Sequence, residues 1–256
     1  MEPMVRSEMA QGVAILTLDH PEKRNALSRA MLVQLGIALD RIAADPAVRA
    51  VIIRATGPAF SAGHDLRELV GGDEVAYAAL FALCTEVMEK IRLLPQPVLA
   101  EVHGLATAAG CQLAASCDIV VASENASFAT PGVKIGLFCS TPAVALSRAV
   151  APKKAMELLL TGQPISAREA ERIGLCTRVV PAARLSEETL ELARQITQAS
   201  AYTLALGKRA FYAQLALDRP AAYAVAQKAM VENALARDGQ EGMRAFLEKR
   251  KPVWEK

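Results

Sequence analysis

Val98-Leu99-Ala100-Glu101-Val102 is followed by His103-Gly104 and then by Leu105-Ala106-Thr107-Ala108-Ala109-Gly110-Cys111-Gln112-Leu113. The first five residues read as a strand, and His103-Gly104 turns the chain out of it. From Ala109 to Ser116 the residues are small and apolar enough for a buried helix. Asp118 to Ala122 returns as a strand. A short buried strand, a tight loop and a close-packed helix make a repeating unit, and units of this kind argue for an α/β fold.

The same alternation extends upstream. Val13–Leu18 and Val51–Ile53 read as strands. Between them Met31, Leu32, Leu35, Leu39 and Ile42 recur near a 3.6-residue period, opened by Asn25 and Ser28 and ended by Asp45-Pro46. A long helix is expected from Glu74 to Leu94, stopped by Pro95 and Pro97. After residue 140 the pattern turns helical: 143–150, 153–160 and 167–173, a short strand at 176–180, then helices at 187–199, 203–217, 220–236 and 241–248. Ser166-x-x-Glu169 reads as a capping box. The expected organisation is an α/β core over 1–190 and a helical region over 191–256.

The net charge is +2 with 22% charged residues, so no basic patch argues for nucleic acid or a membrane surface. Five cysteines, an odd number without CxxC, read as reduced thiols, and three histidines lack metal-ligand spacing. No signal peptide or apolar span of about 20 residues is visible. Too few residues precede the first strand for a transit peptide, and a cytoplasmic location is expected. GxGxxG, P-loop, HExxH and GxSxG patterns are all missing.

Two loops suggest chemistry. Ala59-Phe60-Ser61-Ala62-Gly63-His64-Asp65-Leu66 follows a strand and leads into a helical stretch. Its small residues let a ligand approach the backbone, or simply make a tight turn. The second is 103–113, with Ala108, Ala109 and Gly110 at a helix start, where N–H groups are unpaired. Two such donors converging on one carbonyl oxygen would form an oxyanion hole. Close packing of the helix on the sheet would ask for the same small residues.

These loops, in this order, resemble the enoyl-CoA hydratase/isomerase (crotonase) family. Pro21-Glu22-Lys23-Arg24-Asn25-Ala26-Leu27 is similar to its early coenzyme A turn. Thr161-Gly162-Gln163-Pro164-Ile165-Ser166-Ala167-Arg168-Glu169-Ala170 and Glu241 to Arg250 match further signatures. Residues 128–133 and 136–142 resemble one branch, the enoyl-CoA hydratase domain-containing protein 3 group. The resemblance implies a spiral of ββα units with a C-terminal helical trimerisation region, assembled as a homotrimer or as a hexamer of two trimers. It implies an acyl-CoA or enoyl-CoA thioester as ligand, with coenzyme A part of the substrate and no tightly bound cofactor or metal.

The resemblance also implies that the backbone N–H groups of His64 and Ala109 form the oxyanion hole. Lys23, Arg24, Ala26, Ala62, His64, Asp65, Leu66, Ala109, Gly110, Pro131 and Leu137 would line the ligand track. Phe246 and Lys249 would reach the adenine and 3′-phosphate end of a coenzyme A held by a neighbouring subunit. Hydratases of the family carry glutamates at the positions of Gln112 and Gly132, and several relatives carry an aspartate at Ser140. None of the three is acidic here, and Asp65 is only a reserve candidate for proton transfer. The expectations are an enzyme with unusual or substrate-supplied proton transfer, a non-catalytic acyl-CoA-binding protein, regulatory or scavenging, or an oligomerising protein with a vestigial pocket. Classical hydration is expected to be weak or absent, and glutamates restored at 112 and 132 are expected to raise it on an intact scaffold.

Overall fold

A computed structural model describes residues 3–255. In chain order the elements are β1 (Val5–Ala10), β2 (Val13–Leu18), α1 (Arg29–Ala44), β3 (Ala50–Ala55), β4 (Ala59–Ser61), α2 (Glu74–Leu93), β5 (Val98–Val102), β6 (Leu105–Thr107) and α3 (Ala109–Ser116). Then follow β7 (Ile119–Ser123), β8 (Ser127–Ala129), α4 (Ser140–Ala149), α5 (Pro152–Thr161), β9 (Ile165–Ser166), α6 (Ala167–Arg172) and β10 (Arg178–Val180). Four helices end the chain: α7 (Leu185–Thr197), α8 (Ala201–Gln214), α9 (Arg219–Leu235) and α10 (Arg237–Leu247).

The strands form two sheets, one ordered β1-β2-β3-β5-β7-β10 and a smaller one ordered β4-β6-β8-β9. Each turn of the chain lays a strand in the large sheet, a three-residue strand in the small one, and then helix. β3-β4-α2, β5-β6-α3 and β7-β8-α4 are three such turns, and this is the ββα spiral of the crotonase fold. Parallel pairing runs from β2 through β10 in the large sheet. β1 is antiparallel to β2, joined by Gln11 (φ 53°) and Gly12 (φ 81°) in a two-residue turn that needs positive φ at both positions.

Both faces of the large sheet are covered, which explains why every residue of β2 is buried. Ala14, Leu16 and Leu18 join the core under α1 and α2. Val13 and Ile15 join Ile52, Leu99 and Val121 under Leu185, Leu192 and Ala193 of α7. The expected boundary at residue 190 falls inside α7, whose apolar face lies on the sheet.

α8 docks on this core through two polar side chains, Lys208 and Tyr212. Lys208 Nζ donates to the carbonyls of Ile91 (3.1 Å) and Gln96 (3.0 Å) and to Asp118 Oδ2 (2.7 Å), while Tyr212 OH donates to Asp118 Oδ1 at 2.7 Å. α9 buries no residue within the chain, and Tyr223, Met230, Val231 and Leu235 stand exposed on it. The Glu241–Arg250 signature is a clip: Glu241 accepts from both terminal nitrogens of Arg250 and from the Val253 N–H. The Ser166 cap is half of the expected box. Ser166 Oγ accepts from Glu169 N, but the Glu169 carboxylate turns to Arg172. Among the described residues no helix is long and apolar enough to cross a membrane.

Candidate functional site

The segment after β2 is laced to the loop after β3. Asn25, fully buried at φ 52°, donates through Nδ2 to the carbonyls of Thr56 and Ala59, both at 2.8 Å, and accepts from His20 N. Ser61 Oγ donates to Asn25 O (2.9 Å), Ala62 N to Arg24 O (3.0 Å), and Leu27 N to Gly63 O (2.7 Å). Asparagine tolerates positive φ and supplies these bonds from one short side chain. Lys23, Arg24 and Ala26 are therefore fixed beside the 59–66 loop. Asp65 caps the turn at 66–68 by accepting from Arg67 N, and its other oxygen lies 3.7 Å from Lys23 Nζ. Its carboxylate is thus engaged by a turn N–H and a neighbouring cation.

The two loops meet at their small residues. A Cβ added to Gly63 would lie 2.9 Å from Ala108 Cβ and 3.2 Å from Ala109 N; one added to Gly110 would lie 2.4 Å from Ser61 O. Neither contact tolerates a side chain, so close approach is a reason for glycine at 63 and 110. Ala108 sits at φ 51°, ψ −120°, a conformation alanine rarely adopts. That kink makes Ala108 the residue before α3, with its own N–H spent on Ala129 O (2.9 Å) and its carbonyl taking Gln112 N (3.1 Å). The next N–H, that of Ala109, is the first of the helix and has no acceptor among the described residues, and the His64 N–H has none either. Strain held at such a junction is a mark of a working site.

Polar side-chain atoms around this junction are stranded. His64 Nε2, Thr107 Oγ1, Gln112 Oε1 and Thr130 Oγ1 are buried without a hydrogen-bond partner. His64 Nδ1 lies 3.1 Å from Leu27 O, and a carbonyl only accepts, so Nδ1 carries the hydrogen. Burial lowers the imidazole pKa below its usual 6.5, which leaves a neutral ring with a bare Nε2. The ring stands edge-on to Phe81 at 5.6 Å. Gln112 is one turn along α3 from Ala109, and helical side chains lean back toward the N-terminus.

The backbone around Gly132 is closed. A Cβ at Gly132 would lie 2.3 Å from Leu137 O and 2.8 Å from Cys139 Sγ, and Leu137 N donates to Gly132 O at 2.9 Å. Any side chain added at Gly132 therefore meets backbone first. Ser140 is exposed at the start of α4, with its Oγ 3.4 Å from Phe138 O. Cys139 is buried, and burial pushes its thiol pKa up. Pro131 is half-buried beside Gly132, while Leu66 and Leu137 are exposed. Phe246 is 83% exposed and Lys249 is exposed at φ 54°. α10 packs against α8 and α9, and the chain's own fold does not bring these two residues to the loops. Thr130 went unnoticed in the sequence, because β8, which places it after Ala129, is too short to be read there. Surface clefts of about 510 and 450 Å3 open elsewhere, near Arg54 and Glu101 and between β1 and α1. The free amides and stranded atoms, rather than cleft size, mark the site.

The enoyl-CoA hydratase/isomerase family profile matches residues 8–256. The chain is 53% identical over 255 residues to mouse (Mus musculus) enoyl-CoA hydratase domain-containing protein 3, mitochondrial, spanning 99% of this chain and 85% of that one. The crystal structure of human enoyl Coenzyme A hydratase domain-containing protein 3 superposes with a TM-score of 0.96 at 52% identity, covering 98% of this chain and 100% of that one. The enoyl-CoA hydratase of Mycobacterium smegmatis also superposes at 0.96, with 47% identity and 99% of both chains covered. The expected cytoplasmic location is corrected by these relatives: the mouse, rat and human proteins are all named as mitochondrial. That expectation rested on the few residues before the first strand, which do not decide a compartment. With its ββα spiral, its two converging loops and a match over nearly its whole length, the chain belongs to the enoyl-CoA hydratase/isomerase family.

Proposed function

We propose that this protein binds the acyl or enoyl thioester of coenzyme A and polarises its carbonyl between the backbone N–H groups of His64 and Ala109. One observation supports the reading: Gly63, the neighbour of His64, lies against Ala109 N across the two loops, and neither the His64 nor the Ala109 N–H has an acceptor among the described residues. Preorganised donors of this kind are each worth about 10²–10³-fold in a reaction that develops charge on oxygen. Lys23 and Arg24, fixed beside the first loop, supply cations for the phosphates of coenzyme A.

Hydration also needs a base to activate water and an acid to protonate the α-carbon, and a placed acid or base contributes about 10²–10⁴-fold. Gln112 and Gly132 supply neither. Calorimetric titration with acetyl- and butyryl-CoA tests binding, and no heat at millimolar ligand contradicts it. Turnover of crotonyl-CoA tests the chemistry, and hydration above about one per second, within the ordinary enzyme range, contradicts it. The closed backbone at Gly132 also favours a second reading, an acyl-CoA-binding protein without turnover. A thioester turnover screen across chain lengths separates the two.

Assembly as a trimer or a hexamer of two trimers belongs to the same reading. It is supported by the apolar residues that α8–α10 leave exposed, among them Phe211, Leu215, Met230, Leu235, Phe246 and Leu247. In such an assembly Phe246 and Lys249 serve a neighbour's ligand. Light scattering that finds a stable monomer at micromolar protein contradicts it.

A further inference from the structure

We propose that the cleft of about 510 Å3 between the large sheet and the start of α7 is a second binding site, which takes a small organic molecule through a primary ammonium group. The site does not rest on the thioester reading. Alternation along the strands builds it. Thr17 follows Val13 and Ile15 on the α7 face of β2, Arg54 follows Ala50 and Ile52 on β3, and Glu101 follows Leu99 on β5. These three strands run parallel, so the polar residues gather near their carboxyl ends. The crevice outside the carboxyl ends of the strands is where open α/β sheets take ligands. Arg6 and Glu8 of β1, His103 and Ser186 of α7 complete the polar lining.

Glu101 carries the argument. It is 6% exposed, and a glutamate is rarely so buried without a partner of opposite charge. Oε1 accepts from Ser186 Oγ at 2.8 Å, which ties the carboxylate to the first turn of α7. Oε2 has no partner among the described residues and reaches the cleft. The neighbouring cations are engaged elsewhere. Arg54 lies one residue beyond the Ile53–Ala100 pair, as Glu101 does, yet its Nε donates to Thr17 Oγ1 at 3.1 Å and its Nη2 to Glu8 Oε1 at 2.6 Å. Arg6 pairs with Asp19 at 2.8 Å. His103 gives its Nε2 hydrogen to Gly57 O at 2.8 Å. Of the four Arg and Glu side chains in the lining, Glu101 alone has no ion pair among the described residues.

The lining also selects among cations. Calcium asks for about six to eight oxygen ligands. Here one carboxylate oxygen is free, and no group of three metal-binding side chains is gathered among the described residues. Quaternary ammonium ligands are held by aromatic cages, and no Phe, Tyr or Trp lines this cleft. A primary ammonium matches what is present. One of its three N–H groups donates to Glu101 Oε2 in a charge-assisted bond, and the others stay with water in the open cleft.

The test is calorimetric titration of the full chain, at low ionic strength, with n-butylammonium, tetramethylammonium and magnesium chlorides. Saturable binding of n-butylammonium at millimolar concentration is expected. Glu101→Gln keeps the shape of the side chain and an acceptor for Ser186. It is expected to weaken that binding about tenfold or more, as loss of a hydrogen bond to a charged group implies. Tetramethylammonium, which has the charge but no N–H, is expected to bind about tenfold more weakly than n-butylammonium to the wild type. That comparison needs no variant, so it decides even where Glu101→Gln does not fold. Equal binding of tetramethylammonium, or tighter binding of magnesium, overturns the ammonium assignment. Binding of n-butylammonium that Glu101→Gln leaves unchanged overturns the site. No saturable binding of n-butylammonium to the wild type overturns the proposal outright.

Discussion

Gly132→Ala adds one carbon at the position to which the resemblance assigns a hydratase glutamate. That carbon would lie 2.3 Å from Leu137 O and 2.8 Å from Cys139 Sγ, where ordinary contact begins near 3.4 Å. The oxygen belongs to a turn pinned by the Leu137 N–H to Gly132 O bond at 2.9 Å, so the backbone of 132–137 must move by about 1 Å. Overpacking of this kind costs about 1–3 kcal/mol, and a backbone obstacle puts it at the upper end, about 2–3 kcal/mol. For a chain of this size that is a fall in Tm of roughly 4–12 °C. Scanning calorimetry reads it directly. Gly207→Ala in α8 is the contrast: nothing lies within 4 Å of its added carbon, and the helix gains about 0.5–1 kcal/mol. A Gly132→Ala protein melting within about 1 °C of the wild type would refute the packing argument. The same obstacle forecasts the glutamate graft. Gln112→Glu with Gly132→Glu should hydrate crotonyl-CoA no faster than Gln112→Glu alone, and a clear gain from the second substitution would count against a closed backbone.

Ala108→Gly should stabilise the protein by about 1 kcal/mol. Relief of a conformation that costs alanine about 1–3 kcal/mol outweighs the added chain entropy of glycine, and a lower Tm would contradict the strain assigned to φ 51°, ψ −120°. His64 makes stability fall in acid. Its folded pKa lies below the unfolded value near 6.5, so the unfolded chain binds the extra proton and stability rises with pH through that window. The contribution is complete above 6.5 and is lost as pH drops toward the folded pKa. His64→Gln, which keeps a donor for Leu27 O and cannot titrate, should flatten that part of the profile in urea unfolding. Equal pH slopes in the two proteins would show that the imidazole is not buried neutral.

Much of the large sheet was visible in the sequence because its strands are apolar on both faces. Val13–Leu18 and Val98–Val102 read as strands for that reason. α1 and α3 were legible from periodicity and from a run of small residues. The small sheet was hidden: β4, β6 and β8 have three residues each, too few for a pattern, and they look like loop between better signals. β1 escaped because Arg6, Ser7 and Glu8 are exposed on an edge strand, so no apolar alternation marks it. Small residues following a strand located the two loops, yet the reason for their composition is tertiary. Gly63 meets Ala109, and Gly110 meets Ser61, across a gap of more than forty residues in sequence. The obstruction at Gly132 is local, set by the way the turn to Leu137 and Cys139 closes on it, a geometry the residue types alone do not reveal.

The most direct measurement is the infrared difference spectrum of a saturated acyl-CoA, labelled with carbon-13 at its thioester carbonyl, bound to the protein. Two convergent N–H donors, those of His64 and Ala109, weaken the carbonyl bond, so the labelled stretch is expected at lower frequency when bound than when free. A bound ligand whose carbonyl stretch stays at its solution frequency would contradict the account.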